Sequence, residues 1–156
     1  KKIQLNLGAT ILYVTHDQAE ATTMADEIGV LENGKIAQIG TPEEIYNKPN
    51  SIYVANRLGS PKINILNNST LKTSLPSSDH QLGVRPEHVK LGQGELIGSV
   101  KTIEALGAET VVELDYNGTE ILSLYQGSFD GQRGQDIKFG IDNSKVLFFN
   151  EQGMRV

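Results

Sequence analysis

The sequence predicts an α/β segment over residues 1–60 followed by an all-β unit, a small barrel, over residues 61–156. Three observations support this. Strand-like and helix-like stretches alternate as far as Leu58. Beyond that point there is no convincing long helix, only short strand-like runs separated by turn residues. Between the two patterns stands Gly59-Ser60-Pro61, the best boundary in the chain.

In the first segment, Lys1 to Leu7 reads as the last turns of a helix already under way, stopped at Gly8, and predicts that the chain is a fragment. Thr10-Ile11-Leu12-Tyr13-Val14 is a nearly continuous apolar run, as expected for a strand covered on both faces. Asp17 with Glu20 marks a helix start, and Thr15 with Gln18 offers a competing cap. Ala21, Met24, Ala25 and Ile28 then recur at helical spacing, which predicts an apolar stripe facing a core. Residues 28–32 and 35–40 form a hairpin around Asn33-Gly34, a pair that tolerates the positive φ a tight turn requires. Thr41-Pro42-Glu43-Glu44 supplies a cap, a proline at the first helical position and a glutamate at N3. That helix stops at Pro49, and a second short one around Ile52 to Leu58 ends at Gly59.

In the second segment the predicted strands are 63–66, 71–75, 82–85, 96–105, 110–116, 120–125, 137–141 and 145–149. Asn117-Gly118 makes a second hairpin, while Asn67-Asn68-Ser69 and Pro76-Ser77-Ser78-Asp79 are loops by composition. Many short strands at close spacing suggest a barrel.

Composition narrows the function classes. With no cysteine there is no disulfide framework, thiol nucleophile or thiolate metal site. The net charge is −5, with five basic and seven acidic side chains in residues 1–60 and nine and twelve in residues 61–156. No basic stripe emerges, which weighs against nucleic-acid binding. No apolar run is long enough to cross a bilayer, so direct membrane insertion is not expected.

Thr15-His16-Asp17-Gln18-Ala19-Glu20-Ala21, at the end of an apolar run, resembles the switch-histidine loop of ABC-transporter ATPases. The likeness continues through Met24-Ala25-Asp26, Val30 to Ile36, Gly40 to Tyr46 and Gly59 to Asn64. Leu82-Gly83-Val84-Arg85-Pro86-Glu87-His88 is similar to the signature of the transport-associated OB-like domain, TOBE. In that order the motifs resemble the sugar and sugar-phosphate (maltose-type) importer branch. The resemblance implies a remnant of a P-loop NTPase (ABC) domain at residues 1–60 and an OB-like TOBE barrel at 61–156. It also implies a parent that binds ATP and Mg²⁺, works as a homodimer with permease transmembrane subunits, and sits on the cytoplasmic face of the membrane. His16 takes the switch position, which the resemblance implies is a catalytic one that contacts the γ-phosphate and helps hold attacking water.

Other catalytic elements of that family are missing from the sequence: there is no true Walker A loop, no Leu-Ser-Gly-Gly-Gln signature and no Walker B run. The fragment is therefore expected to hold no nucleotide and to be inactive alone. Gly29 to Ile36 nearly mimics a phosphate loop, but Ile36 lacks the hydroxyl for Mg²⁺ and the context is a hairpin. Gly92, Gly94 and Gly98 read as loop and strand-kink glycines. Arg85 and His88 invite an anion-binding reading, yet local pairing of Arg85 with Glu87 beside Pro86 is favoured. His80 is expected to be solvated, and the three histidines have no metal-ligand spacing. Tyr125, Phe129, Phe139, Phe148 and Phe149 are expected to pack in a core rather than stack bases. The rival to the transport ATPase is a non-catalytic TOBE module that dimerises or binds a small anion.

Overall fold

The computed structural model describes residues 2–67 and 80–156. The predicted strand at 71–75 and the loop at 76–79 lie outside the described residues.

Helix α1 spans Lys2–Leu7 and α2 spans Gln18–Met24. Between them the predicted strand at 10–14 does not form, and its side chains are left in solvent: Leu12 is 92% exposed and Val14 81%. A buried parallel strand needs a hydrogen-bonded neighbour on each side, and all strand pairing among the described residues is antiparallel and elsewhere. The α/β sheet expected for residues 1–60 is therefore reduced to one hairpin and short helices. The helical stripe is corrected as well: α2 buries no residue, and Met24 is 40% exposed.

From Ile28 to Ala55 the local signals and the structure agree, except that the second short helix ends at Ala55 rather than near Leu58. Strands β1 (Ile28–Glu32) and β2 (Lys35–Gly40) pair antiparallel, with Asn33 at φ 48° and Gly34 at φ 76° closing the turn. Helix α3 (Pro42–Asn47) opens with a full capping box: Thr41 Oγ1 accepts from Glu44 N, and Glu44 Oε2 accepts from Thr41 N at 2.9 Å. Helix α4 (Ile52–Ala55) is capped by Ser51. Val30, Ile45, Val54 and Leu58 bury a small core that joins the hairpin to both helices.

The remainder is β. Strands β3 (Asn64–Asn67), β4 (Gln81–Val84) and β9 (Leu147–Phe149) make one sheet, in the order β3-β4-β9. Strands β5 (Val89–Ala105), β6 (Glu109–Tyr116), β7 (Thr119–Gln126) and β8 (Asp136–Ile141) make the other, in the order β7-β6-β5-β8. The two sheets enclose one apolar core that includes Leu66, Leu82, Val100, Leu114, Ile121 and Phe139. Where no backbone ladder joins them, the buried Asn64 side chain does: it donates to Val84 O and Leu122 O and accepts from Leu122 N at 2.7 Å. This barrel-like closure uses an amide in place of a strand pair.

Strand β5 is longer than predicted because a bulge between Leu91 and Leu96 lets both its halves pair with β8 around Phe139. Gly94 permits that crossing: its φ is +83°, and a Cβ there would stand 2.6 Å from Gly140 Cα.

Candidate functional site

The His16 loop is organised around Glu20. Asp17 caps α2, accepting from Ala19 N at 2.8 Å and Glu20 N at 3.0 Å, so Asp17 rather than Thr15 is the cap. The Glu20 carboxylate reaches past the cap and accepts from Thr15 Oγ1 at 2.7 Å and Tyr13 Oη at 3.1 Å. That hydrogen bond, with the nearby negative charge, raises the Tyr13 phenol above its ordinary value. The result is a pinned turn that presents His16 outward, exposed.

His16 faces a cleft of about 450 Å³ shared with Gln18, Tyr53, Asn56, Arg57 and Lys62. No carboxylate is among those lining residues. Arg57 lies 4.4 Å over the Tyr53 ring and donates to its hydroxyl at 2.8 Å, while Tyr53 Oη donates to Leu31 O at 2.6 Å. An imidazole beside two cationic side chains suits hydrogen bonding to an anionic group. It does not assemble a nucleophile with a base. Among the described residues, no group of three or more His, Asp or Glu side chains could hold a metal. Sequence reasoning missed the cleft, because Arg57 and Lys62 are brought to His16 only by the packing of α4.

Arg85 has a different role from either one expected of it. It is 3% exposed, and Glu87 acts on it through its charge while the guanidinium's hydrogen bonds go to backbone carbonyls. Nη1 donates to Ala55 O at 2.9 Å and Leu58 O at 2.6 Å, and Nη2 donates to Tyr46 O at 2.9 Å. The guanidinium stacks 3.9 Å from the Tyr46 ring centroid. Glu87 instead accepts from Tyr46 Oη at 2.6 Å. Burial, reinforced by this bond, pushes the Tyr46 phenol up to about 12. Burial rather than saturation withholds Arg85 from a ligand, since its Nε has no hydrogen-bond partner among the described residues. The clue in the sequence was its place between Val84 and Pro86, at the end of an apolar strand.

The remaining expectations divide. Gly29 to Ile36 is the β1–β2 hairpin rather than a phosphate loop. Phe139 and Phe149 are fully buried, and Phe129 and Phe148 pack against the barrel core or near it. Tyr125 is 37% exposed and meets Phe129 edge-on at 5.5 Å. His80 is half-buried rather than solvated. His88 lies 4.0 Å from Glu87 with no metal-ligand neighbours. No helix among the described residues is long and apolar enough to cross a membrane.

Comparison with known proteins gives a family match to the TOBE domain over residues 82–149. The chain is 33% identical over 96% of its length to the sulfoquinovosyl glycerol transport ATP-binding protein SmoE of Agrobacterium fabrum, covering 49% of that protein. It is 34% identical over 97% of its length to the maltose/maltodextrin import ATP-binding protein MalK of Vibrio cholerae, covering 48% of it. The sn-glycerol-3-phosphate import ATP-binding protein UgpC of Brucella abortus is 34% identical over the whole chain, which covers 49% of it. The chain thus spans about half the length of the curated relatives it matches. Residues 82–149 therefore match the TOBE domain, and over nearly its whole length the chain is similar to transport and import ATP-binding proteins named for sulfoquinovosyl glycerol, maltose/maltodextrin and sn-glycerol-3-phosphate.

Proposed function

We propose that this chain serves in the ATP-hydrolysing subunit of an ABC importer for a sugar or sugar phosphate. In this reading residues 1–60 belong to the nucleotide-binding domain and residues 61–156 to a TOBE-type regulatory domain. The observation that supports it is the match along nearly the whole chain to three such subunits, combined with the TOBE match at 82–149. The subunit would act on the cytoplasmic face of the membrane against permease partners.

The residues present do not fit a complete ATP·Mg²⁺ site. Among the described residues no group of three or more His, Asp or Glu side chains could hold a metal, and the phosphate-loop mimic is a hairpin. What this chain supplies is His16, held outward by the Asp17 and Glu20 contacts as a donor for a terminal phosphate. In the intact subunit, His16→Ala should slow ATP hydrolysis by about 10²–10³, the usual cost of one positioned transition-state donor. Nucleotide affinity should hardly move. An unchanged turnover number would assign His16 a structural role.

The subunit would work as a homodimer. The exposed apolar run at 11–14 and the open hairpin invite cover by a second chain. Sedimentation of this chain at micromolar concentration should show a dimer or larger species, and a monodisperse monomer would refute that part of the reading.

A further inference from the structure

We propose that Arg85 is a mechanical clamp that makes residues 28–58 and the TOBE domain one rigid unit. Gly59-Ser60-Pro61 is then not a flexible joint. The proposal rests on the placement of the guanidinium at the ends of two helices. Tyr46 stands in the last turn of α3, and Ala55 ends α4. The final carbonyls of a helix have no partner within it, and a buried end without partners is costly. Arg85, projecting from the end of β4, satisfies Tyr46 O, Ala55 O and Leu58 O at once. Its positive charge also suits the negative ends of both helices. Gly59 leaves room for it, since a Cβ there would stand 2.9 Å from Arg85 Nη1.

A second set of contacts holds the same helices from the other side. Ile52 N donates to Gly153 O at 2.8 Å, and Arg155 N donates to Asn50 O at 2.9 Å. Ala55 is buried in one cluster with Ile63, Leu147 and Phe149. On the hairpin side, Asn50 N donates to Gln38 Oε1 and Asn50 Nδ2 to Ala37 O, each at 2.7 Å, and Tyr53 Oη donates to Leu31 O. A continuous path of buried or hydrogen-bonded groups therefore runs from β1–β2 through α3 and α4 to β4. Helix α2 has no fully buried residue, and its Gln18 lines the His16 cleft beside Tyr53, Asn56 and Arg57. Given the transporter reading above, a binding event at the TOBE domain would reach the hairpin as a rigid displacement. The clamp itself does not depend on that reading.

Hydrogen exchange on the whole chain tests it without any assay of transport or hydrolysis. The amides of Ile45, Lys48, Ala55 and Asn56 are bonded within α3, α4 and their caps. They should exchange at rates close to that of Leu114 in the barrel core. Arg85→Met should speed those four about tenfold to a hundredfold relative to Leu114, as expected for losing charged hydrogen bonds. Arg85→Lys should do nearly the same, because an ammonium cannot span three carbonyls as a fork does. Tyr46→Phe, which removes only the bond to Glu87, should speed them a few-fold and provides the readout if Arg85→Met does not fold. Three results would each overturn the clamp: rapid exchange of the four amides in the unaltered chain, full protection in Arg85→Lys, or equal loss of protection in helices and barrel.

Discussion

Residues 9–25 and residues 28–58 are both rich in strand and helix signals, yet only the second stretch is built into the molecule. Ile11, Leu12, Tyr13 and Val14 have the more apolar run, and they are the more exposed. Helix α2 has a good cap in Asp17 but no fully buried residue. The hairpin and helices of 28–58, by contrast, bury Val30, Ile45, Val54 and Leu58 and hand three carbonyls to Arg85. A hairpin or a capping box closes within a few residues and needs no distant partner. A central parallel strand consists of half a ladder until other strands arrive, and hydrophobicity alone does not place it.

The comparison breaks most clearly on truncation of large side chains. Phe139→Ala in the barrel core should cost about 3–5 kcal/mol in urea unfolding, since that ring is fully buried and leaves a cavity. At dilutions where the chain is monomeric, Leu12→Ala should stay within about 0.5 kcal/mol, because Leu12 is 92% exposed in the single chain. A large loss from Leu12→Ala that appears only at higher concentration would mean that residues 10–14 are covered by a second chain.

A smaller contrast sharpens the same point at the two helix caps. Thr41→Ala should destabilise the chain by about 1 kcal/mol, the usual value of a hydroxyl N-cap on a helix that carries core residues. Asp17→Ala should speed exchange at Ala21 and Ala25 while leaving global unfolding almost unmoved, since α2 has no fully buried residue. The Thr41 effect also has a pH signature. The backbone and side chain of Thr41 hold the Glu44 carboxyl below its ordinary value. A group depressed in the folded state stabilises above its unfolded pKa and loses that contribution as pH falls through the folded one. The gap between Thr41→Ala and the unaltered chain should therefore narrow in acid below the ordinary carboxylate range. A gap that widened there would contradict the capping box.

By itself the sequence determined whatever closes locally: the Asn33-Gly34 and Asn117-Gly118 turns, the Thr41 and Asp17 caps, and the run of short strands from Asn64 to Phe149. It also carried the His16 and Arg85 motifs on which the family resemblance rests. Only the tertiary structure decided what each motif touches. Arg85 meets carbonyls 27 to 39 positions away, and Asn64 bonds to Leu122 across 58, so no local pattern could reveal either partner. The same holds for the strand predicted at 10–14. Its pattern expresses a need for neighbours, but ladder partners are supplied by residues far off in sequence, and here none pairs with it.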